Sequence, residues 1–390
     1  MKILLVHNYY QQYGGEDGVF EAEQRLLADK GIDVATYAVH NHDIQSIPSK
    51  VLTTLNSVYS LPSARAFARV LDIEQPDIIH VHNFFPKLSP ALYHVARQKG
   101  LPVVQTLHNF RLICPSALLL RNNHPCTDCV KLPFPWPGVV HGCYRDSSAA
   151  SAVVGTTMTV NRWLGAWKSC VSKYIALSEF SKKVFLDSNL GLDPDQIVVK
   201  RNFVADQGVR LDTEAEGYIF VGRLSIEKGI GTLLEALPHM EAPLTIVGGG
   251  PLQADVEAAA AQNPHVRFLG FRPPDEVRQL VKNSRALLFP SVWYENCPLT
   301  IVESLSVGTP VVASALGAPG EMVVDEVNGL LFPPSDVAGL LAALRRLDQQ
   351  PALRARLRQG ARNTYEQEYA PDVSFEKLMA LYSSLHRHPR

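Results

Sequence analysis

Short apolar runs alternate in the first half of the chain with longer segments whose apolar positions recur at helical spacing. We predict strands at Ile3–Val6, Asp33–Ala38, Ile78–His82 and Val103–Leu107, and helices at Val19–Lys30 and Leu88–Lys99. Because strands and helices take turns, this pattern is typical of a parallel sheet covered by helices on both faces.

The same alternation starts again after Gly217. Here we predict strands at Tyr218–Val221, Leu244–Val247, Val266–Leu269, Ala286–Phe289 and Pro310–Ala313, with helices at Gly231–Leu237, Gln253–Ala261, Pro274–Asn283 and Leu299–Ser306. Doubly wound sheets bind ligands beyond the carboxyl ends of their strands. The sequence therefore predicts an α/β fold of two Rossmann-like, doubly wound parallel-sheet domains that face a central cleft.

The two predicted domains meet where hydrophobic periodicity is weak, within Asn202–Gly217. We expect an acceptor-side domain over residues 1–205 and a donor-binding domain over residues 206–370. Residues 371–390 are expected to form a terminal helix, with packing back onto the first domain as an open option. A Pro-, Cys- and His-rich insertion at residues 110–150 fits neither periodicity, and a loop of this length is usually functional or internally stapled.

Charge and hydropathy narrow the class of protein. Residues 1–205 carry 20 Lys/Arg and 16 Asp/Glu, a net of +4, whereas residues 206–390 carry 17 and 22, a net of −5. The basic half suits peripheral contact with an anionic membrane surface, although ordinary variation between domains is the commoner cause. Without a long basic run we expect no nucleic-acid partner. The apolar start, Met1–His7, is too short for a signal peptide, so we expect a cytoplasmic protein that can sit at the inner membrane face.

The first candidate site is the segment 222–229 (GRLSIEKG), which follows a predicted strand and precedes a helix. Arg223 offers a planar guanidinium and Lys228 a mobile ammonium, and the helix start adds oriented N–H groups. Two cations at this spacing can both reach a diphosphate. A surface loop with two solvated cations is the alternative.

The second candidate site has carboxylates eight residues apart on either side of a helix start at Pro298. Glu295 falls in the loop after a strand, where a sugar can lie, and Glu303 falls one turn into the helix. There a carboxylate can accept hydrogen bonds from two vicinal hydroxyls. Alternatively Glu295 balances the helix dipole and Glu303 is a solvated charge, but apolar neighbours make that position awkward for Glu303.

Taken together, these motifs resemble retaining glycosyltransferase family 4. The resemblance rests on G-R-x4-K-G, E-x7-E and the segments 247–252 (VGGGPL), 308–314 (GTPVVAS) and 328–332 (NGLLF). In the first half, Gly14-Gly15 and Leu107-His108-Asn109 match two further landmarks. The resemblance spans nearly the whole chain, is strongest over residues 217–335, and implies the GT-B architecture.

For the donor, the resemblance implies that Arg223 and Lys228 bind the diphosphate and stabilise the leaving group. It implies that Glu303 binds the ribose hydroxyls. Gly14 and Gly15 are expected to let a loop approach the diphosphate where a side chain would obstruct it.

For the sugar, the resemblance implies contacts from Glu295, from the backbone around Cys297, Pro298 and Leu299, and from His108. The run Asn296-Cys297-Pro298 replaces the family's more usual Gly-Phe-Pro or Gly-Phe-Gly, which can alter sugar selectivity.

The implied activity is transfer of a hexose, with retention, from a UDP- or GDP-linked donor to a glycan or lipid-linked glycan in cell-surface polysaccharide synthesis. A GT-B sugar-nucleotide epimerase and a catalytically inactive carbohydrate-binding protein are the alternatives. Neutralising the departing diphosphate needs cations, which Arg223, Lys228 and helix N-termini supply. The acidic pair in Asp193-Pro194-Asp195 is typical of a turn, so we expect catalysis without a metal cofactor.

Four cysteines lie in the insertion, Cys114, Cys126, Cys129 and Cys143, spaced C-x11-C-x2-C-x13-C. A central C-x2-C with two distant cysteines suits a structural zinc. The alternative is a set of small hydrophobic side chains under the loop. A further pair, Trp163 and Trp167, is predicted to share a helical face that is buried in the core or, less commonly, faces lipid or acceptor.

Overall fold

The computed structural model describes residues 1–11, 13–41, 58–209 and 215–386. They divide into two compact units: the first holds residues 1–119, 126–200 and 375–390, and the second holds residues 120–125 and 201–374. These breaks differ by a few residues from the division expected after residues 205 and 370. The segment expected to contain the boundary, Asn202–Gly217, includes residues 210–214, which lie outside the described part.

The first unit contains a six-stranded parallel sheet. Its strands are β1 (Lys2–Tyr9), β2 (Asp33–His40), β3 (Ile78–Val81), β4 (Val103–Thr106), β7 (Lys173–Ala176) and β8 (Ile197–Val199). Between β4 and β7 the chain forms a short antiparallel hairpin, β5 (Leu120–Arg121) and β6 (His124–Pro125), whose residues belong to the second unit. The sheet order is β2-β1-β3-β4-β7-β8. The order reverses beside β1, so the carboxyl ends of β1 and β3 flank a crevice suited to a ligand.

The described helices of this part are α1 (Gly15–Asp29), α2 (Leu61–Glu74), α3 (Ala91–Gln98), α4 (Trp136–Val140), α5 (Ser148–Trp163), α6 (Ala166–Ser169) and α7 (Glu179–Leu186). Three of them begin at a serine cap. The hydroxyl oxygens of Ser60, Ser147 and Ser178 accept hydrogen bonds from backbone N–H groups at the starts of α2, α5 and α7. Such caps satisfy donors that the first helical turn leaves open.

The second unit repeats the design. Its strands are β9 (Tyr218–Val221), β10 (Leu244–Val247), β11 (Val266–Gly270), β12 (Ala286–Phe289), β13 (Val311–Ser314) and β14 (Gly329–Phe332). Its helices are α8 (Ile230–Ala236), α9 (Gln253–Gln262), α10 (Pro274–Lys282), α11 (Leu299–Ser306), α12 (Pro319–Met322), α13 (Val337–Gln349) and α14 (Pro351–Thr364), and α15 (Pro371–His386) follows. The sheet order β11-β10-β9-β12-β13-β14 is again parallel and reverses beside β9. Two such sheets with helices around them confirm the predicted fold class.

Apolar side chains from β9, β10 and β12 form the centre of the second core together with α8, α13 and α14. At the carboxyl end of β10, Gly248 has φ +135°, and a Cβ there would lie 1.9 Å from the carbonyl oxygen of Gly222. Only glycine fits this contact. The loops after β9 and β10 are therefore held against each other at the switch point.

The insertion at residues 110–150 packs more fully than its sequence suggested. Phe110, Leu112, Ile113 and Leu119 are each at most 4% exposed, and the Phe110 ring stacks on Phe185 of α7, 5.6 Å between centroids. Apolar burial against the first unit thus orders part of the loop, although its apolar residues follow no regular period.

The predicted tryptophan pair does not share one helical face. Helix α5 ends at Trp163, and Gly165 adopts a left-handed conformation with φ +74° before α6 begins. Trp163 is 79% exposed, whereas Trp167 is 1% exposed and donates its indole N–H to the carbonyl oxygen of Met158 at 3.2 Å. Trp167 is therefore a core residue, as the commoner alternative held, and Trp163 is not.

Candidate donor site and buried histidine cluster

A cavity of about 380 Å³ lies at the switch point of the second unit. Its lining includes Gly222 and Arg223 after β9, Gly248 and Gly249 after β10, and Glu303 of α11. The Arg223 side chain is exposed. The structure therefore brings three separate sequence motifs to one opening at the carboxyl ends of the strands, where doubly wound sheets bind ligands.

Glu303 is a partly buried carboxylate in this cavity. Burial raises its pKa, and the positive charge of Arg278 opposes the shift only in part. Arg278 also lines the cavity and forms an ion pair with Asp275. A carboxylate that has lost water but gained few protein partners is well suited to accept hydrogen bonds from ligand hydroxyls.

Lys228 belongs to a second cluster. Its ammonium nitrogen lies 2.5 Å from Oε1 of Glu295, which is 7% exposed. The Ser291 hydroxyl donates to the same carboxylate oxygen at 3.1 Å. The Lys228 ammonium also lies 5.3 Å from the centroid of Trp293. Lys228 is therefore paired with Glu295, whereas Arg223 lines the same cavity as Glu303.

A glycine contact explains how Lys228 reaches Glu295. A short 3-10 helix, Ile226–Lys228, ends at Gly229 with φ +75°. A Cβ on Gly229 would lie 1.8 Å from the carbonyl oxygen of Pro290, directly after β12. The loop is therefore pressed against the end of β12, from which the chain continues to Glu295.

The helix start near Glu295 differs slightly from the prediction. Helix α11 begins at Leu299, and Pro298 is its N-cap, with φ −68° and ψ 115°, rather than its first helical residue. Cys297 is buried at 9% exposure. Its small side chain fits this enclosed position.

Gly14 and Gly15 lie at the start of α1, beside the switch point of the first sheet. Gly14 is the N-cap and donates its N–H to Oδ2 of Asp17 at 2.8 Å. A Cβ on Gly15 would meet no atom within 4 Å. The space beside Gly15 is therefore open within the described protein. By contrast, Oδ1 of Asp17 lies 2.7 Å from Nε2 of His7 and is within hydrogen-bonding distance of it.

The next residue, Glu16, makes two polar contacts that the sequence did not predict. Its carboxylate accepts hydrogen bonds from Asn109 Nδ2 at 2.6 Å and from the Tyr10 hydroxyl at 2.9 Å. Burial raises the pKa of Glu16, and the two hydrogen bonds counter that shift. These contacts tie the loop after β4 to the start of α1.

His108 lies at the edge of a buried histidine cluster. Its Nε2 is 3.0 Å from Nδ1 of His82, and Nε2 of His82 is 3.1 Å from Oε1 of Glu23. The other Glu23 oxygen lies 2.8 Å from the Lys200 ammonium. His80 Nδ1 lies 3.0 Å from Glu23 Oε1. His108 is half-buried, while the others are at most 4% exposed.

Burial decides the charge states of this cluster. It lowers the pKa of His82 to about 4, against the opposing effect of Glu23. Burial and then the neighbouring His82 hold the pKa of His108 well below its usual range. Burial alone would raise the pKa of Glu23, but the positive charge of Lys200, followed by the histidines, holds it well below its usual range. The cluster therefore contains an ion pair between Lys200 and Glu23, and His82 and His108 are neutral at neutral pH.

Sequence reasoning did not single out Glu23, His80, His82 or Lys200. A signal was present, because Glu23 follows Val19 by four residues on the core-facing side of α1, and His80 and His82 alternate on one face of a buried strand. Ligand atoms of Glu23, His80 and His82 lie within 4.8 Å of one another, a spacing that a metal ion could use. The Lys200 ammonium already balances the Glu23 charge, which disfavours a further cation there.

The four insertion cysteines interact but do not converge. Burial raises the pKa of the Cys129 thiol to about 12, with smaller contributions from Cys114, Cys126 and Cys143. The Cys143 N–H donates to the carbonyl oxygen of Gly138 at 2.9 Å, and a Cβ on Gly138 would lie 3.4 Å from Cys129 Sγ. Among the described residues, however, no three of these sulfurs come within 4.8 Å of one another. The structure thus gives no support to a bound zinc, which stays a prediction.

The acidic pair at Asp193 and Asp195 forms local structure. A 3-10 helix spans Pro194–Gln196, and the Asp193 N–H donates to Gln196 Oε1 at 3.1 Å. This is the turn that the sequence predicted. In the part of the chain that the structure describes, no helix is both long and apolar enough to cross a membrane.

Comparison with solved structures supports the same architecture. Anabaena HepE in complex with UDP aligns with a TM-score of 0.69 at 18% identity, covering 98% of this chain and all of that one. Sucrose-phosphate synthase from Thermosynechococcus elongatus aligns with a TM-score of 0.70 at 18% identity, covering 98% of each chain. At these identities the likeness establishes the fold.

Sequence comparison reaches the family. The O-antigen chain mannosyltransferase C of Escherichia coli is 24% identical over 405 aligned positions, covering 99% of both chains. The 2-deoxystreptamine glucosyltransferase of Streptomyces kanamyceticus is 29% identical over 68% of this chain and 66% of its own. The family described as Glycosyltransferase Family 4 matches residues 19–207, and the one described as Glycosyl transferases group 1 matches residues 205–364. With both halves matched and the fold in agreement, the chain belongs to the family 4 glycosyltransferases of GT-B architecture.

Proposed function

We propose that the protein transfers a hexose, with retention of anomeric configuration, from a nucleotide sugar to a glycan or lipid-linked glycan in polysaccharide synthesis. The observation that carries the donor part is the cavity that Arg223 and Glu303 share. A cation and a partly dehydrated carboxylate at one opening suit a nucleotide, which presents both phosphates and ribose hydroxyls.

The proposed chemistry starts with cleavage of the bond between the anomeric carbon and the diphosphate. Negative charge develops on the departing diphosphate while the sugar becomes oxocarbenium-like. Arg223 and Lys228 stabilise that negative charge through fixed positive charges. Glu303 holds the ribose, and Glu295 with the backbone near Cys297 contacts the sugar. We propose that this charge stabilisation operates without a divalent cation.

The donor is proposed to be UDP- or GDP-linked. A UDP-bound structural neighbour, Anabaena HepE, supports the first choice, and a mannosyltransferase relative supports a hexose. The O-antigen role in that relative's name supports a glycan acceptor. Retention is proposed from the family motifs, with Arg223, Lys228, Glu295 and Glu303 all present.

Thermal unfolding with a panel of nucleotides and nucleotide sugars tests this proposal directly. A ligand that binds only the folded protein increases the free energy of unfolding, by about 2.7 kcal/mol when its free concentration is one hundred times Kd. The unfolding temperature rises as a result. We expect one nucleoside diphosphate and its hexose conjugate to stabilise the protein. Product analysis with that donor and a set of glycans then tests transfer and anomeric configuration. Stabilisation by none of the panel would contradict the proposal.

We also propose a structural zinc at Cys114, Cys126, Cys129 and Cys143. The C-x11-C-x2-C-x13-C spacing of these cysteines in the sequence is what supports it. Binding would require side-chain rotation to bring the sulfurs together, with release of thiol protons. Cytoplasmic location and peripheral membrane contact stay predictions from the sequence.

A further inference from the structure

A chain of hydrogen-bonding groups runs from the interior of the first unit to His108. It passes from Lys200 through Glu23 and His82, with successive separations of 2.8, 3.1 and 3.0 Å between the facing atoms. Lys200 directly follows β8, Glu23 belongs to α1, His82 directly follows β3, and His108 lies in the loop after β4. They are far apart in the sequence, and none of them but His108 has a part in the proposed chemistry.

The direction of each hydrogen bond follows from the charge at the inner end. Lys200 has three N–H donors and no acceptor, so Glu23 accepts from it. The low pKa of Glu23 keeps it ionised, and an ionised carboxylate can only accept. The proton between Glu23 and His82 therefore belongs to Nε2 of His82.

The same reasoning carries one step further outward. His82 is neutral at neutral pH because its pKa is lowered to about 4, and a neutral imidazole carries one N–H. Since that N–H is on Nε2, Nδ1 of His82 is an acceptor. The facing atom, Nε2 of His108, must then be the donor. That leaves Nδ1 of His108 as a nitrogen with a lone pair.

We propose that Lys200, Glu23 and His82 are positioning residues that hold His108 in the Nε2–H tautomer, so that its Nδ1 accepts a hydrogen bond from a hydroxyl of the bound sugar or acceptor. The hydrogen bond to a ligand hydroxyl rests on the proposed function, whereas the tautomer of His108 does not. A lone pair repels phosphate oxygens, so this tautomer assigns His108 to a hydroxyl-bearing group and excludes it as a donor to the diphosphate.

Two further buried histidines, His80 and His7, lie near this chain of hydrogen bonds and could also influence the tautomer of His108. His80 contacts Glu23 and also lies 2.7 Å from the Tyr382 hydroxyl and 2.7 Å from the Thr106 hydroxyl. His7 is engaged by Asp17. Neither lies between Glu23 and His108, so the tautomer of His108 follows from its hydrogen bond with His82.

Nitrogen-15 NMR of the histidine rings in the ligand-free, full-length protein tests the tautomer without any assay of activity. We expect His108 to show a protonated Nε2 and an unprotonated Nδ1 at neutral pH, with His82 in the same form. Finding His108 with its proton on Nδ1, or as an imidazolium, would overturn the proposal. Because the wild-type protein is measured, the result does not depend on whether a variant folds.

Lys200→Met tests the inner end of the chain. Without the ammonium, burial favours a protonated Glu23, whose O–H then donates to Nε2 of His82. His82 then carries its proton on Nδ1 and donates from it, so His108 must accept at Nε2 and carry its own proton on Nδ1. We expect this exchange of tautomer in Lys200→Met, and retention of the wild-type tautomer in Lys200→Arg. An unchanged His108 tautomer in a folded Lys200→Met protein would overturn the role of Lys200.

Tyr382→Phe is the matched control, because it removes a hydroxyl from His80 while it changes no charge and leaves the path to His108 intact. Its His108 tautomer should match the wild type, and a change there would overturn the proposed path. Transfer assays of His108→Ala separate the two proposals. Loss of transfer with the expected wild-type tautomer supports the hydroxyl contact, whereas unimpaired transfer overturns that contact and not the glycosyltransferase assignment.

Discussion

The ammonium nitrogen of Lys228 lies 2.5 Å from the carboxylate of Glu295, although the two residues are 67 positions apart in the sequence. In the ligand-free protein each therefore neutralises the other. If Lys228 binds the diphosphate as proposed, we expect the diphosphate to compete with Glu295 and to release its carboxylate for the proposed sugar contact. The ion pair thus links two roles that the motifs imply separately.

Replacing either donor-site cation should impair turnover. We expect Arg223→Ala and Lys228→Ala each to reduce transfer by about 10²-fold or more, because charge on the leaving group is no longer stabilised. Steady-state kinetics with the donor identified by thermal screening provide the measurement. Arg267→Ala, an exposed cation on β11, is the matched control and should transfer normally. Near-normal turnover in both site variants would contradict the diphosphate role.

Glu295→Gln should separate binding from transfer. Removal of the carboxylate frees Lys228, so the variant should bind the nucleoside diphosphate as tightly as the wild type or more tightly. Transfer should nevertheless fall, because the sugar contact is weakened. Calorimetric titration with the nucleotide and initial-rate assays measure the two effects. Weaker nucleotide binding would show that Glu295 does not compete for Lys228.

Glu303→Gln should weaken binding of the nucleoside diphosphate itself. The loss of charge-assisted hydrogen bonds to the ribose should cost about 1.5–3 kcal/mol, measured by calorimetric titration. The control Glu257→Gln changes an exposed carboxylate on α9 and should bind normally. If affinity for the nucleotide is unchanged in Glu303→Gln, Glu303 does not bind the ribose.

The raised pKa of Glu303 gives this variant a second signature. Burial favours the protonated form of Glu303 in the folded protein, so its pKa is higher in the folded than in the unfolded state. Ionised Glu303 therefore lowers the free energy of unfolding at pH values above its unfolded-state pKa. This loss of stability is relieved as the pH falls through the folded-state pKa. Glu303→Gln should therefore raise the unfolding temperature of the ligand-free protein at neutral pH. The affinity of the wild type for the nucleotide should also fall as Glu303 becomes protonated. Because the pKa of Glu303 is raised, this loss should begin at a higher pH than it would with a glutamate of ordinary pKa.

Transfer should continue in excess EDTA during short assays, because protein cations are proposed to stabilise the leaving group. The measurement is the initial rate with and without the chelator. Immediate loss of activity that Mg²⁺ or Mn²⁺ restores would contradict metal-independent catalysis.

Protein purified without added metal should contain about one zinc per chain by elemental analysis, as expected for one four-cysteine site. Cys126→Ser combined with Cys129→Ser should lose the metal and the protease resistance of residues 110–150. Cys170→Ser, which changes a buried cysteine outside the insertion, is the control. Metal-free wild-type protein with a protease-resistant loop would favour the packing alternative, for which the buried Phe110 and Leu119 already provide a basis.

Periodicity alone predicted much of the fold. The strands from Ile3, Tyr218 and Leu244 appear where apolar runs predicted them, since a strand buried on both faces must be apolar throughout. Strands β7 and β14 were not identified as strands in this way. Strand β7 begins with Lys173 and β14 begins with Gly329. Lysine and glycine are both uncommon in strands, so the apolar run in each is too short to identify a strand until neighbouring strands supply its hydrogen bonds.

The sequence by itself determined which donor-site residues to consider, because G-R-x4-K-G and E-x7-E are local patterns around helix starts. Only the tertiary structure decided that Lys228 pairs with Glu295 and that Arg223 shares a cavity with Glu303. The same is true of Lys200, Glu23 and His82, which converge beneath His108 from three separate elements. The physical reason is that sheet register sets these distances. Register depends on hydrogen bonds between strands distant in the chain, which no local spacing records.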